Sequence, residues 1–522
     1  MTPFGHLIFH FLKRMFSSED EEGVESMSLG LGVVLAFLAS PGALASLFLI
    51  NKYSTLLHWL RGERSFDPYR ASIADEYFFI VLSMTITGLV MVMRWNRLFP
   101  DRRDFWNLAV LPIPIRQVFL ANFAALALLG LVFAIDVNAV STVVFPAFVT
   151  MSDGSFAGFL RCAGMHALSV FSASLFSFFA IFALVGILML VSPARWFRTI
   201  SVAVRTVLVV ALLVEFVSNL LVQLLSGRLP AHAGSYAQFL PPFWFLRIYR
   251  RAGIGLPLVA LAASIVVAVA AYSLCYRRHF LRLAESLDTI GASRHASRFA
   301  GPKWLFRSQL ERACGLFALK VLMRNERHVM LLGAYLGIGL VMSVGADSSS
   351  LPLLIAFFLI SGLRFVFDIP AAVAANWTFR FGVGLPDPTP RAMARRFLLA
   401  AVLPWQIFFP LPWQAIALNM LFSTLAIELL LRGYRKIAFT CNSKPDTSQM
   451  VIRVVGLLIG ILVLIPVLTG MERWALKGIW TFGVLAVLLG AALYGLRRKR
   501  GEEEPLLFEE RPAAAFELLK LA

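Results

Sequence analysis

The stretch RWNRLFPDRRDFWNLAVLPIPIRQ, residues 94–117, lies between two long apolar runs, and its reading decides how the chain is organised. It carries five arginines (Arg94, Arg97, Arg102, Arg103, Arg116) against two aspartates (Asp101, Asp104). Both acids and two of the arginines follow Pro100 directly, where a short helix is expected to start. Leu111-Pro112-Ile113-Pro114 closes the segment as a turn, and Ile115-Arg116-Gln117 leads into the next apolar run. A short charged helix held between two membrane spans suits docking onto a soluble partner. The same composition also describes an ordinary basic cytoplasmic loop.

Working outward, the whole chain is that of a polytopic membrane protein. Its 522 residues are 59% hydrophobic and only 15% charged, with a mean hydropathy of +0.77, whereas soluble domains are about a quarter charged. The net charge of +18 reflects basic loops on the cytoplasmic side rather than a nucleic-acid surface, so no nucleic-acid partner is expected. The four cysteines (Cys162, Cys275, Cys314, Cys441) are too scattered to signal a disulfide framework or a metal site. No apolar core with a small-residue cleavage site follows Met1, so a cleavable signal peptide is not expected.

A span needs about 20 apolar residues to cross a hydrocarbon core of ~30 Å. Candidate spans are Ser28–Leu49, Tyr77–Met93, Val118–Val140, Met165–Val191, Ile200–Leu225 and Leu256–Tyr276 in the first half. The second half offers His328–Gly345, Leu351–Ala375, Phe397–Pro410, Trp413–Leu431, Val454–Leu468 and Gly478–Leu496. Between Arg396 and Arg432 lie 35 residues without a basic side chain. As one helix these would be ~53 Å long, so Pro410 and Pro412 predict a tight hairpin of two short spans.

The expected fold class is therefore all-α. It is a bundle of about twelve transmembrane helices in two six-helix halves. The halves are residues 28–276 and 328–496, joined by a basic cytoplasmic linker over 277–327 and followed by a cytoplasmic tail over 497–522. Placing the N-terminus inside puts 36 of the 48 Lys and Arg residues on the cytoplasmic side and 11 outside. Both termini are then cytoplasmic, with the loop carrying Arg228, Arg247, Arg250 and Arg251 as the dissenting segment. Residues 1–27 hold an amphipathic helix: Phe4, Leu7, Ile8, Phe11, Leu12, Met15 and Phe16 share one face. Such a helix lies in the membrane interface or packs on a neighbouring segment. A faint internal echo links Trp95-Asn96-Arg97 with Asn376-Trp377-Thr378-Phe379-Arg380, which is weak evidence for a repeat.

The search for chemistry is mostly negative. There is no P-loop, no His-Glu-x-x-His and no Gly-x-Ser-x-Gly, so no catalytic, cofactor or metal site is expected and the chain has no ATPase domain of its own. Ionisable residues inside spans are costly and face a bundle interior or a polar path. Asp136, Glu215, Arg364 and Asp368 fall there and are the candidate translocation-path residues. Arg364 and Asp368 stand four apart and can neutralise each other. A surface pair is expected for Glu428 and Arg432, and a hydrogen-bonded structural role for His166 near the outer end of its span.

Two motifs carry a resemblance to a known family. Asp101-Arg102-Arg103-Asp104, Leu108, Leu111-Pro112-Ile113 and Arg116 fall between the second and third spans, and Leu240-Pro241-Pro242-Phe243-Trp244-Phe245 precedes the sixth. In order and spacing these resemble type-2 ABC exporter permeases, over roughly Met1–Arg278, with the second half weaker. The resemblance implies a permease of the inner (plasma) membrane that moves a substrate with ATP hydrolysed by a separate cytoplasmic ABC ATPase. It further implies a coupling helix at Asp101, Arg102, Arg103, Asp104, Phe105, Trp106 and Leu108 that docks that ATPase. Short re-entrant helices at the Pro-Pro-Phe-Trp-Phe segment would cap the exit path, where an interfacial aromatic belt is the plainer reading. Membrane lipids, and pairing with itself or with another permease, complete the expected partners. The alternatives are an ion-coupled secondary transporter working through Asp136 or Glu215, and, with less support, an intramembrane enzyme on lipid-linked substrates.

Overall fold

The computed structural model describes residues 3–16, 39–54, 66–95, 98–99, 112–151, 154–226, 239–285, 306–343, 351–371, 379, 388–440, 456 and 459–498. These are predominantly helical, without strands among the described residues. The chain divides into two compact units, Met1–His295 and Ala296–Ala522.

In the first unit α1 is Pro3–Phe16, α2 Ile50–Tyr53, α3 Pro68–Met93, α4 Ile115–Val149, α5 Phe156–Val191, α6 Ala194–Ser226, α7 Pro241–Tyr249 and α8 Gly255–Glu285. In the second unit α9 is Gln309–Arg324, α10 Glu326–Ser343, α11 Leu351–Phe367, α12 Pro388–Phe408, α13 Trp413–Leu430, α14 Ile465–Ala475 and α15 Ile479–Arg498. Seven of the described helices (α3, α4, α5, α6, α8, α13 and α15) are long and apolar enough to cross a membrane, which fits a helical membrane bundle. The first half of the expected first span, Ser28–Leu49, lies outside the described residues.

Several helices start earlier than hydropathy predicts, for a local reason. The Asp67 carboxylate accepts from the Tyr69 and Arg70 amides at 3.0 and 3.2 Å, and Pro68 takes the first helical position. This cap begins α3 nine residues before Tyr77, where the apolar run starts. Ser155 caps α5 by accepting from the Gly158 amide at 3.2 Å, so α5 reaches 36 residues, ~54 Å, well beyond a ~30 Å hydrocarbon core. The expected span Leu351–Ala375 is instead α11, ending at Phe367. There the backbone turns out of the helix: Phe439 N–H donates to Phe367 O at 3.1 Å, and Ala371 N–H donates to Phe439 O at 2.9 Å. The predicted break at Pro410 and Pro412 lies between α12 and α13, with Pro412 as the residue before α13. Of that pair only α13 meets the length and hydropathy of a span, because α12 carries Arg391, Arg395 and Arg396. Where Val454–Leu468 was expected to span, one π-helical turn, Gly460–Leu464, runs into α14. The 277–327 segment is helical at both ends, through the tail of α8 and all of α9.

The amphipathic face of α1 has a definite use. Leu7 and Phe11 are buried against Val118, Ala121 and Ala125 at the start of α4, while Phe9 on another face is exposed. In the first unit α3 runs through the centre, packed by α5, α6, α7 and α4. Along the α5–α8 contact a Cβ built on Gly186 would stand 2.9 Å from the Ala271 Cβ, so only glycine permits this approach. In the second unit α11 is central, with Phe367, Val366 and Leu363 buried against Met393, Ala394 and Leu398 of α12 and Ile427 of α13.

Gly186→Leu is expected to force α5 and α8 apart and to destabilise the first unit by roughly 1–3 kcal/mol. A lowered thermal midpoint in detergent, with Gly483→Leu at an open position as control, checks this. Cys314 on α9 is completely buried, and burial pushes its thiol up to about 11. In a variant retaining only Cys314, maleimide labelling at pH 7.5 is expected to wait for unfolding; prompt labelling of the folded protein would contradict the packing of α9.

Candidate functional site

The densest set of buried polar groups in the first unit lies where α3 and α5 begin and α4 ends. Its starting point is the α3 sequence Asp75-Glu76-Tyr77, three consecutive polar residues that the Asp67 cap draws into the helix. Successive helical positions point about 100° apart, so each finds a different partner. Asp75 accepts two hydrogen bonds from Lys52 Nζ, at 2.7 and 2.9 Å, and one from the Tyr53 hydroxyl. Burial, followed by the Asp75 charge, pushes the Tyr53 phenol well above its ordinary value and keeps it a donor. Glu76 meets His166 of α5, with Oε2 2.5 Å from Nδ1 and both side chains fully buried. Tyr77 donates to Glu215 of α6 at 2.7 Å.

The imidazole of His166 is fixed on all sides. Its Nε2 lies 3.4 Å from Ser141 Oγ on α4, and the rings of Phe79 and Phe145 flank it at centroid distances of 5.5 and 5.1 Å. Among the described residues, Glu76 Oε1 makes no hydrogen bond of normal geometry. The carboxyl–imidazole contact is fully buried, with the rings of Phe79 and Phe145 beside it.

The short helix α7 closes the same end. Pro241 and Pro242 begin it, and Phe245, Leu246 and Ile248 are buried against α5 and α3. Tyr77 and Phe243 stack at 4.4 Å, and Phe176 meets Phe245 at 5.5 Å. The segment is thus built into the helix bundle. At its end the Tyr249 hydroxyl lies 2.9 Å from Ser72 Oγ and 3.5 Å from Cys162 Sγ. Burial is the main cause pushing the Tyr249 phenol above its ordinary value. Above these groups a cleft of about 410 Å³ opens between the starts of α3 and α5 and the end of α7.

The residues singled out in the sequence do not converge. Asp136 is half-buried on α4 with Oδ2 lacking a hydrogen-bond partner, and no hydrogen bond or ion pair joins it to Glu215 among the described residues. Arg364 and Asp368 pair at 2.7 Å in the second unit; Lys436 adds a second contact to Asp368 at 2.9 Å. Glu428, expected at a surface, is buried and held by Arg395 at 3.4 Å and Arg497 at 3.1 Å. Asp101, Arg102, Arg103, Asp104, Phe105, Trp106 and Leu108 lie outside the described residues. Sequence reading passed over Asp75 and Glu76 because they precede the apolar run that seemed to start α3 at Tyr77. The Asp67-Pro68 pair was the available signal that the helix begins earlier.

His166→Leu leaves Glu76 buried without its partner and is expected to cost ~3–5 kcal/mol. The double variant Glu76→Leu/His166→Leu removes both polar groups and is expected to lose less than His166→Leu alone. Thermal unfolding of wild type, both single variants and the double variant measures the coupling; additive losses would mean the two side chains do not act as a pair. No family model, curated protein or solved structure matches the chain.

Proposed function

We propose that the chain is the membrane permease of an ABC-type exporter, moving its substrate with ATP hydrolysed by a separate cytoplasmic ATPase. The observation that carries this reading is α7. The Pro-Pro-Phe-Trp-Phe segment, which follows α6 and precedes α8 in the chain, begins a nine-residue helix packed on α5 and α3; in chain order this is where the resembled permeases put a short re-entrant helix over the exit. In this reading about twelve spans form two six-span halves, both termini are cytoplasmic, and the protein resides in the inner membrane. The end bearing α7 then faces outward. The basic 94–117 stretch faces the cytoplasm and offers Phe105, Trp106 and Leu108 as an apolar anchor, flanked by Asp101, Arg102, Arg103 and Asp104.

A second reading, an ion-coupled secondary transporter, draws support from the Glu76–His166 contact, a fully buried carboxyl–imidazole pair within a membrane bundle. Asp136, with its buried unpartnered oxygen, would serve the same reading.

Pull-down of the partner ATPase from detergent separates the two. The wild-type chain is expected to recover an ATPase, and Trp106→Ala to weaken recovery by at least tenfold, as loss of a central aromatic worth ~2 kcal/mol would. Undiminished recovery from Trp106→Ala and from Arg102→Ala/Arg103→Ala would reject this docking segment. Absence of any ATPase, with transport abolished by a protonophore, would replace the exporter by the secondary carrier.

A further inference from the structure

The cleft above Tyr249 has a composition that neither reading uses. Three arginines line it: Arg161 from the first turns of α5, and Arg250 and Arg251 from the end of α7. None of the three forms an ion pair or a side-chain hydrogen bond among the described residues. The acids behind the cleft are already satisfied or sealed, since Asp75 is held by Lys52 and Tyr53 and Glu76 by His166. Three arginines lining one cleft, with no ion pair to any of them among the described residues, form a site that an anion would complete.

The backbone supports the same conclusion. Arg251 adopts φ +53°, the left-handed conformation in which α7 terminates, with Ala252 N–H donating to Arg247 O at 2.9 Å. Glycine is the residue that takes this position without steric cost. Here a glycine stands two residues later, at Gly253, and arginine occupies the strained position itself. Arg251 in this conformation lines the cleft together with Arg250. Strained residues of this kind cluster where a ligand is held.

The surroundings indicate what carries the anion. Leu160, directly before Arg161, and Leu256 and Val259, just after the α7–α8 turn, are exposed apolar residues on helices long enough to cross a membrane. The cleft therefore lies at the boundary between an apolar belt and the polar end of the bundle, at headgroup depth. Ile73 and Met165 give its inner wall an apolar surface, and the phenols of Tyr69 and Tyr249 stand beside the arginines. Planar guanidinium groups recognise phosphate through paired N–H donors.

We propose that this cleft binds a phosphate group, presented by the headgroup of an anionic phospholipid. Arg161, Arg250 and Arg251 clamp the phosphate oxygens, and the Tyr69 hydroxyl adds a donor at the rim. The assignment does not depend on the exporter reading and requires only that the bundle be embedded in a membrane.

The test uses the full chain in phosphatidylcholine nanodiscs, titrated calorimetrically with short-chain phosphatidylglycerol and, separately, with inorganic phosphate. The wild type is expected to bind phosphatidylglycerol saturably. The variant Arg161→Ala/Arg250→Ala/Arg251→Gly is expected to bind at least tenfold more weakly. Arg251→Gly alone relieves the backbone strain, so it is expected to hold or raise the thermal midpoint while weakening binding, which separates loss of the site from loss of the fold. Arg247→Ala removes a charge from the same helix outside the cleft and is expected to leave binding unchanged. Binding of inorganic phosphate with the same arginine dependence, but not of the lipid, would uphold the phosphate site and assign its occupant to solution. Binding of neither, binding unaffected in the triple variant, or an equal loss in Arg247→Ala would overturn the proposal.

Discussion

The first unit depends on the contact between Glu76 and His166 and on the ladder of polar contacts that continues from it. Within hydrocarbon, an apolar helix face gains nothing from another helix that lipid tails would not also supply. Polar contacts and close packing therefore decide which faces meet. From the buried pair at 2.5 Å the α3–α5 interface continues through Ser83 Oγ to Val170 O at 3.3 Å, Thr87 Oγ1 to Ser174 Oγ at 2.5 Å, and Ser177 Oγ to Met84 O at 3.0 Å. The first three contacts ascend both helices together, so α3 and α5 run parallel, and the Ser177–Met84 contact crosses back between them. A slip by one residue would break every rung and leave Glu76 buried beside phenyl rings. The chain α4, α6, α7 and α8 is then arranged around a pair whose geometry is already determined.

The second unit is held by a different device. Three of its buried acids sit near helix ends and take basic partners: Glu311 pairs with Arg396, Asp368 with Arg364 and Lys436, and Glu428 with Arg395 and Arg497, while Glu472 of α14 accepts from the Asn419 amide instead. Arg364 also stacks 4.7 Å from the Tyr434 ring and donates to Leu430 O at 3.1 Å, tying α11 to the end of α13. Such pairs contribute little net stability when formed but are costly to break singly, so they specify which helix ends meet. The pairing neutralises Arg364 and Asp368 within the second unit.

Much of the helix inventory was legible in the sequence, because a span announces itself by apolar length. Trp413–Leu430 and the proline break before it, the Ile479–Arg498 helix and the apolar face of α1 all follow from that signal. The site was not legible, for the same reason. Hydropathy starts α3 at Tyr77 and so places Asp75 and Glu76 in a loop, where acids need no explanation. The Arg364–Asp368 spacing could be read because both partners share one helix; Glu76 and His166 are ninety residues apart and meet only through tertiary packing. Glu428 was misread by the same local logic, since an i,i+4 arginine was visible while Arg395 and Arg497 were not.

The position of the polar site along α5 follows from helix length. At 36 residues α5 is ~54 Å long, against a hydrocarbon core of ~30 Å, so its ends must extend beyond the core. Arg161 and Cys162 belong to the second turn, at the cleft, and His166 lies four residues deeper, about 6 Å along the axis. Between the two levels stand Met165 and the Tyr249 hydroxyl, the latter engaged with Ser72 and Cys162. The cleft is therefore open to headgroups and water while the Glu76–His166 pair one turn below is closed off by Phe79 and Phe145. α7 supplies Tyr249 to the barrier and Arg250 and Arg251 to the cleft from consecutive residues. A movement of this one short helix would therefore alter both levels together.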